Sequence, residues 1–142
     1  MKYTCEIIIN DNREQVAAYY TQHEHIMKWE KGLTDIIDHQ GHLFETGSQG
    51  AFLFDFGNYQ MEMKITVELN QLPDRIIQIF EVPGVWNRCD NRFIAIGDQT
   101  KWIMDVIFEF DEKKDLPVEP FIQKTTEAMQ IFKDYVEGLK NI

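Results

Sequence analysis

The sequence is short of three things: cysteine, positive charge and any long apolar run. Its two cysteines, Cys5 and Cys89, have no short-range spacing between them, so no disulfide framework or thiolate metal motif is written in it. Free, buried thiols are the ordinary state of such cysteines in a cytosolic chain. Lys and Arg number 14 against 24 Asp and Glu, a formal net charge of −10. That field repels phosphate backbones and anionic headgroups, and the densest basic site, Lys113-Lys114, sits between Glu112 and Asp115. Nucleic-acid binding is therefore disfavoured. No apolar run approaches the roughly 18 residues a spanning helix requires, which argues equally against membrane insertion. The segment Met1-Lys2-Tyr3-Thr4-Cys5-Glu6 places an acid where a signal peptide needs an apolar core, so the expected location is the cytoplasm. Internal repeats, low-complexity tracts and linker-like stretches are also missing, so residues 1–142 are expected to form one domain.

What the chain does have is bulky apolar material. Ten Phe, three Trp and six Met exceed what a minimal core needs, and such a surplus either lines a pocket or fills a large core. The periodicity sorts this material into elements. Tyr3 to Ile9 reads as a strand ended by Asn10-Asp11-Asn12, with Asp11 or Asn12 able to cap a helix starting there. Glu14 to Tyr20 and His23 to Trp29 read as two short helices, the second stopped by Gly32. Both are too short to stand alone and must pack on something larger.

From Leu33 the period becomes two. Strands are expected at Thr34 to His39, Gly50 to Phe56, Tyr59 to Leu69, Arg75 to Val82, Val85 to Ile96 and Lys101 to Phe110, with hairpin or turn signals at Gly57-Asn58, Leu72-Pro73-Asp74, Pro83-Gly84 and Gly97-Asp98. The clearest alternation sets Tyr59, Met61, Met63, Ile65, Val67 and Leu69 against Gln60, Glu62, Lys64, Thr66 and Glu68, one buried and one wet face of an antiparallel sheet. Pro117 and Pro120 then open a long amphipathic helix to about Leu139, whose stripe of Phe121, Ala128, Met129, Phe132, Tyr135 and Val136 faces the sheet.

This order resembles the START-like superfamily, also called the SRPBCC or polyketide cyclase/dehydrase-like group, over essentially the whole chain. Lys2-Tyr3-Thr4-Cys5-Glu6-Ile7, the helix ending at Trp29, Leu72-Pro73-Asp74, and Gly84-Val85-Trp86-Asn87-Arg88 continuing to Asn91-Arg92-Phe93 add weight and look like bacterial members of the group. The resemblance implies an α+β helix-grip fold: a curved antiparallel sheet wrapped around the long C-terminal helix, with a ligand cavity between them. It also implies binding or transport of a lipid, polyketide, aromatic or other apolar molecule. A minority of the group are cyclases or dehydratases, and co-chaperone relatives are protein-interaction modules. The cone-shaped α+β fold of small dehydratases and isomerases is the rival, but it leads with long helices and ends on strands.

Alternation assigns the candidate site. On Val85 to Ile96 the even positions are largely charged, so Asn87 and Asn91 point inward, where they either orient a ligand or satisfy buried backbone groups. The other expected cavity residues are Phe52, Phe54, Phe56, Met61, Met63, Gln78, Phe80, Met104 and Val106 on the strands, and Phe121, Thr125, Met129 and Phe132 on the helix. Trp29 either closes the entrance or packs the short helices down. Glu81, Asp90, Asp105 and Glu109 fall on outer faces, so no strand acid is placed for proton transfer. His23 with His25, and His39 with His42, lack partners at metal-motif spacing. They read as surface histidines, and no metal or cofactor is expected. With no Gly-x-Ser-x-Gly, P-loop or dinucleotide fingerprint, a binder is expected over an enzyme. Ile77 and Ile79, outward on their strand, hint at an interaction surface or a homodimer contact.

Overall fold

The computed structural model describes residues 1–113 and 115–140; Lys114 of the expected basic site lies outside the described residues. The elements come in the order β1 (Lys2–Ile9), α1 (Arg13–Thr21), α2 (His23–Trp29), β2 (Leu33–Gln40), β3 (Gln49–Asp55), β4 (Gln60–Gln71), β5 (Arg75–Val82), β6 (Val85–Ile96), β7 (Gln99–Phe110) and α3 (Glu119–Leu139). The strands form one antiparallel sheet in the order β1-β7-β6-β5-β4-β3-β2. Each consecutive pair from β2 to β7 is a short connection, the cheapest way to place neighbours. β1 closes the far edge by pairing with the last strand, Cys5 opposite Met104 and Ile9 opposite Thr100.

That order governs where everything else goes. β1 and β2 lie at opposite edges, so the chain between them must cross the concave face, and α1 and α2 are that crossing. Asn12 caps α1, its side chain accepting from the Gln15 amide at 2.9 Å, which satisfies one orphan donor of the first turn. Gly32, at φ 77°, turns the chain from α2 into β2, a conformation an L side chain resists.

α3 begins with Glu119 and Pro120, where a missing N–H leaves nothing unsatisfied. It grips one side of the sheet. The Tyr3 hydroxyl is 2.7 Å from Thr125 Oγ1, Phe121 packs against Phe108 at 5.1 Å, and the Asn10 amide donates to Glu137 at 2.9 Å. Met129, Phe132 and Val136 are the buried positions of its stripe. Around Phe132 an aromatic cluster forms from Tyr20, Trp29 and Trp102, with centroids 5.0–5.6 Å from its ring. This cluster joins the two short helices, α3 and β7 into one core.

The outer face of the sheet is held by charge pairs across strands: Arg75 on Asp90 and Arg92 on Asp105 between neighbours, and Arg88 on Glu68 from β6 over β5 to β4. Asp90 is buried there, its carboxyl held below the usual range chiefly by the Arg75 hydrogen bonds. Ile77, expected to stand exposed on this face, is only 3% exposed. Its neighbours across the ladder are Leu69 and Asp90, so it is a covered position and does not supply the expected patch. Both cysteines are free and buried, and burial pushes the Cys89 thiol up to about 12.

Candidate functional site

Because α3 lies along β1, the concave surface of β3, β4 and β5 is left to be roofed by other parts. The roof is the end of α2 and the loop 41–48. That loop is pinned by side chains: Asn70 donates to the Phe44 carbonyl at 2.8 Å, Asp38 accepts from the Leu43 amide at 2.9 Å, and Thr46 accepts from the Asn70 amide at 2.8 Å. It can approach the sheet so closely because Gly50 has no side chain. A Cβ there would stand 2.2 Å from the Ile37 carbonyl oxygen and 2.5 Å from Leu43.

Between roof and sheet is a cavity of about 210 Å³, lined by Tyr20, Ile26, Trp29, Glu30, Phe44, Phe52, Phe54, Met63, Gln78, Phe80 and Asn87. Six of these eleven residues are aromatic. Trp29 is fixed by its indole N–H, which donates to the Tyr19 carbonyl at 3.0 Å, and by stacking on Tyr20 at 5.8 Å. The Tyr20 hydroxyl donates to Gln78 Oε1 at 2.8 Å, and burial pushes its phenol well above the ordinary value. Asn87 donates to the Ile107 carbonyl at 3.1 Å, while its oxygen receives only the weak Cys89 thiol at 3.5 Å. Half-buried Trp29, Glu30, Met63, Phe80 and Asn87 mark the side open to solvent.

Glu30 is the one acid in this wall. It comes directly after the last turn of α2, its backbone amide donating to Ile26, and its carboxyl pairs with no cation among the described residues. Burial alone raises it to about 7, the direction expected when the charged form loses water without gaining a partner.

The expected site residues divide. The structure brings Trp29, Phe52, Phe54, Met63, Gln78, Phe80 and Asn87 together around the cavity. Asn91 is elsewhere: at 0% exposure it donates to the Ile76 and Cys89 carbonyls and accepts the Trp102 indole N–H at 2.9 Å, an amide satisfying buried neighbours. Met104 and Val106 on β7 and Met129 and Phe132 on α3 are buried core. Phe121 packs on Phe108 and Phe110, and Thr125 is bonded to Tyr3. Phe56, 40% exposed, lies past the end of β3 against Phe54 and Tyr59, and Met61 borders the open outer concavities near the β3–β4 hairpin. So this cavity lies between sheet, α2 and loop, and the expected α3 residues are not among its lining. Tyr20, Ile26, Glu30 and Phe44 escape a reading of the sequence, because alternation along strands says nothing of helix ends and loops. The histidines also differ from expectation in one case: His25 is tucked under α3, 2.7 Å from the Tyr135 hydroxyl.

A larger concavity of about 750 Å³ lies where His39, Gln49, Gln60, Glu62, Lys64 and Glu81 point outward. It is a wide, open hollow whose charged and amide side chains lie on the solvated face of the sheet, whereas a site ringed by aromatic side chains with a few placed polar groups is what small-molecule sites look like. Among the described residues no group of three or more His, Cys, Asp or Glu is placed to hold a metal ion.

No protein-family model matches the chain, and no curated protein does. Solved structures do. Ara h 8.0201, a Bet v 1-like protein of the START-like superfamily, superposes with a TM-score of 0.82 at 11% identity, over 97% of this chain and 98% of that one. A protein from Rhodobacter sphaeroides gives 0.78 at 14% identity, over 97% and 93%. DynU16, from the dynemicin biosynthetic locus, gives 0.71 at 14% identity; the match covers 96% of this chain and 47% of that one, so the chain spans about half its length. With a seven-stranded antiparallel sheet, two short helices after the first strand and a long C-terminal helix, the chain has the helix-grip fold of the START-like superfamily.

Proposed function

We propose that the protein binds or carries a small apolar molecule in the cavity beneath α2 and the loop 41–48. The observation that carries this reading is the lining itself: six rings and Met63 around about 210 Å³, with few polar groups. That volume is below the roughly 300–1,000 Å³ of drug-sized pockets, so the occupant is small or extends out of the open side. The fold supports the reading in general terms, since the Bet v 1-like architecture accommodates hydrophobic ligands. Native mass spectrometry of protein purified gently from its own host tests it. A reproducible extra mass, lost on denaturation, is the expected result. Clean apo protein in every preparation, together with no uptake of apolar probes, would contradict it. Phe54→Ala should change affinity for the carried molecule, whereas Met129→Ala, on the buried stripe of α3, should not.

A second reading, a cyclase- or dehydratase-like enzyme, has one observation in its favour: a carboxyl poised near neutral pH inside an apolar wall suits general acid–base work. Once a ligand is identified, Glu30→Gln should abolish its turnover under this reading. Unchanged product formation would remove it.

A further inference from the structure

The cavity's polarity is one-sided. Its lining contains a carboxyl, a phenol, two amides and no basic side chain. The carboxyl is Glu30, and no Arg, Lys or His contributes to its charge balance. Lys28 and Lys31, its neighbours in sequence, are exposed and lie outside the lining. From α1 the one titratable group facing the cavity is Tyr20, whose hydroxyl is already given to Gln78. α2 adds none, Glu30 following directly after it, and the contributions of the loop and of β3 to β6 are uncharged. A carboxyl in such a wall lacks a counter-charge that a ligand can supply, and aromatic faces are the other group that attracts a cation. An anionic ligand such as a fatty acid would meet the reverse: like charge, and no guanidinium or ammonium to receive it.

We propose that the occupant of this cavity is a small lipophilic amine, its ammonium on the Glu30 carboxylate and its carbon skeleton among Trp29, Phe52, Phe54 and Phe80. The inference rests on the apolar-binding reading and names the ligand class of that site. The overall charge of −10 acts in the same direction, concentrating cations near the surface before they enter. Since Glu30 is a carboxylic acid that takes up its proton near pH 7 in the empty cavity, amine affinity should fall as pH drops below 7 while the amine itself stays charged.

Three probes of one shape separate these ideas: 2-phenylethylamine, neutral propylbenzene and anionic 3-phenylpropanoate, titrated by calorimetry or NMR into the full chain and into Glu30→Gln. The expected result is amine binding at least tenfold tighter than either other probe at pH 8. That advantage should shrink toward pH 5.5 and disappear in Glu30→Gln, while propylbenzene still binds the variant and so reports an intact cavity. If propylbenzene binds but the amine has no advantage, or Glu30→Gln holds the amine as tightly as the parent, the amine proposal is overturned and the apolar-binding reading stands. If 3-phenylpropanoate binds best, the proposal is overturned likewise. If none of the three binds, both fall.

Discussion

Glu30 is the residue on which most of the chemistry turns, and its environment makes a stability prediction independent of any ligand. A carboxyl raised by burial from 4.5 to about 7 holds its proton more tightly in the folded chain than in the unfolded one. It therefore opposes folding above pH 7, and that penalty fades as pH falls from 7 toward 4.5. Glu30→Gln should stabilise the protein by on the order of 1–3 kcal/mol at pH 8 and change little at pH 4. Urea unfolding at the two pH values checks this, and equal effects at both would show that burial does not perturb the group. Asn91 gives the opposite lesson. Its three hydrogen bonds, to Ile76, Cys89 and Trp102, make it a structural amide, so Asn91→Leu should cost about 1–3 kcal/mol through the orphaned Trp102 donor and backbone carbonyls. Affinity of the surviving folded protein for an apolar probe should be unchanged; a selective loss of affinity without loss of stability would return Asn91 to the site. Both asparagines of β6 are legible as inward from sequence, since Arg88, Asp90 and Arg92 fix the other face. Which of them meets the cavity is not, because that depends on what crosses over the strand.

At the scale of elements, the periodic signals carry far. The bounds of β5, β6 and α2 read from sequence match the structure, and the remaining strands differ by one or two residues at their ends, where frayed pairing blurs any boundary. The position of the cavity is less legible. An amphipathic stripe shows that α3 faces the sheet, but not which strands it covers. Strand order decides that: β1 pairs with β7, α3 runs along β1, and β3 to β5 are left for α2 and the loop. Nothing in the alternation of one strand announces that β1 will sit beside the last. The loop is the element most exposed to a single change. Gly50→Ala would drive a methyl into the Ile37 carbonyl and Leu43, a clash that backbone cannot relieve by rotating. We expect a loss of about 1–3 kcal/mol, accompanied by a shift of Phe44 and altered probe affinity. A thermal midpoint equal to that of the parent would mean the loop does not seat against β3.

For the whole molecule, the two faces of the sheet are built for different work. Outside, arginines and acids pair across strands and cover Ile77. Inside, α3 and the Tyr20–Trp29–Trp102–Phe132 cluster close half of the concavity, and the other half stays hollow. No helix among the described residues is long and apolar enough to cross a membrane. The central claim is that an apolar molecule enters the hollow half and not the gripped one, and the methionines are placed to report it. Met63 lines the cavity, while Met129, on the buried stripe of α3, is 1% exposed. With methyl-labelled methionine, titration of propylbenzene followed by NMR should move the Met63 signal and leave Met129 in place. A Met63 signal that stays fixed at saturating probe, or movement centred on Met129, would contradict the account.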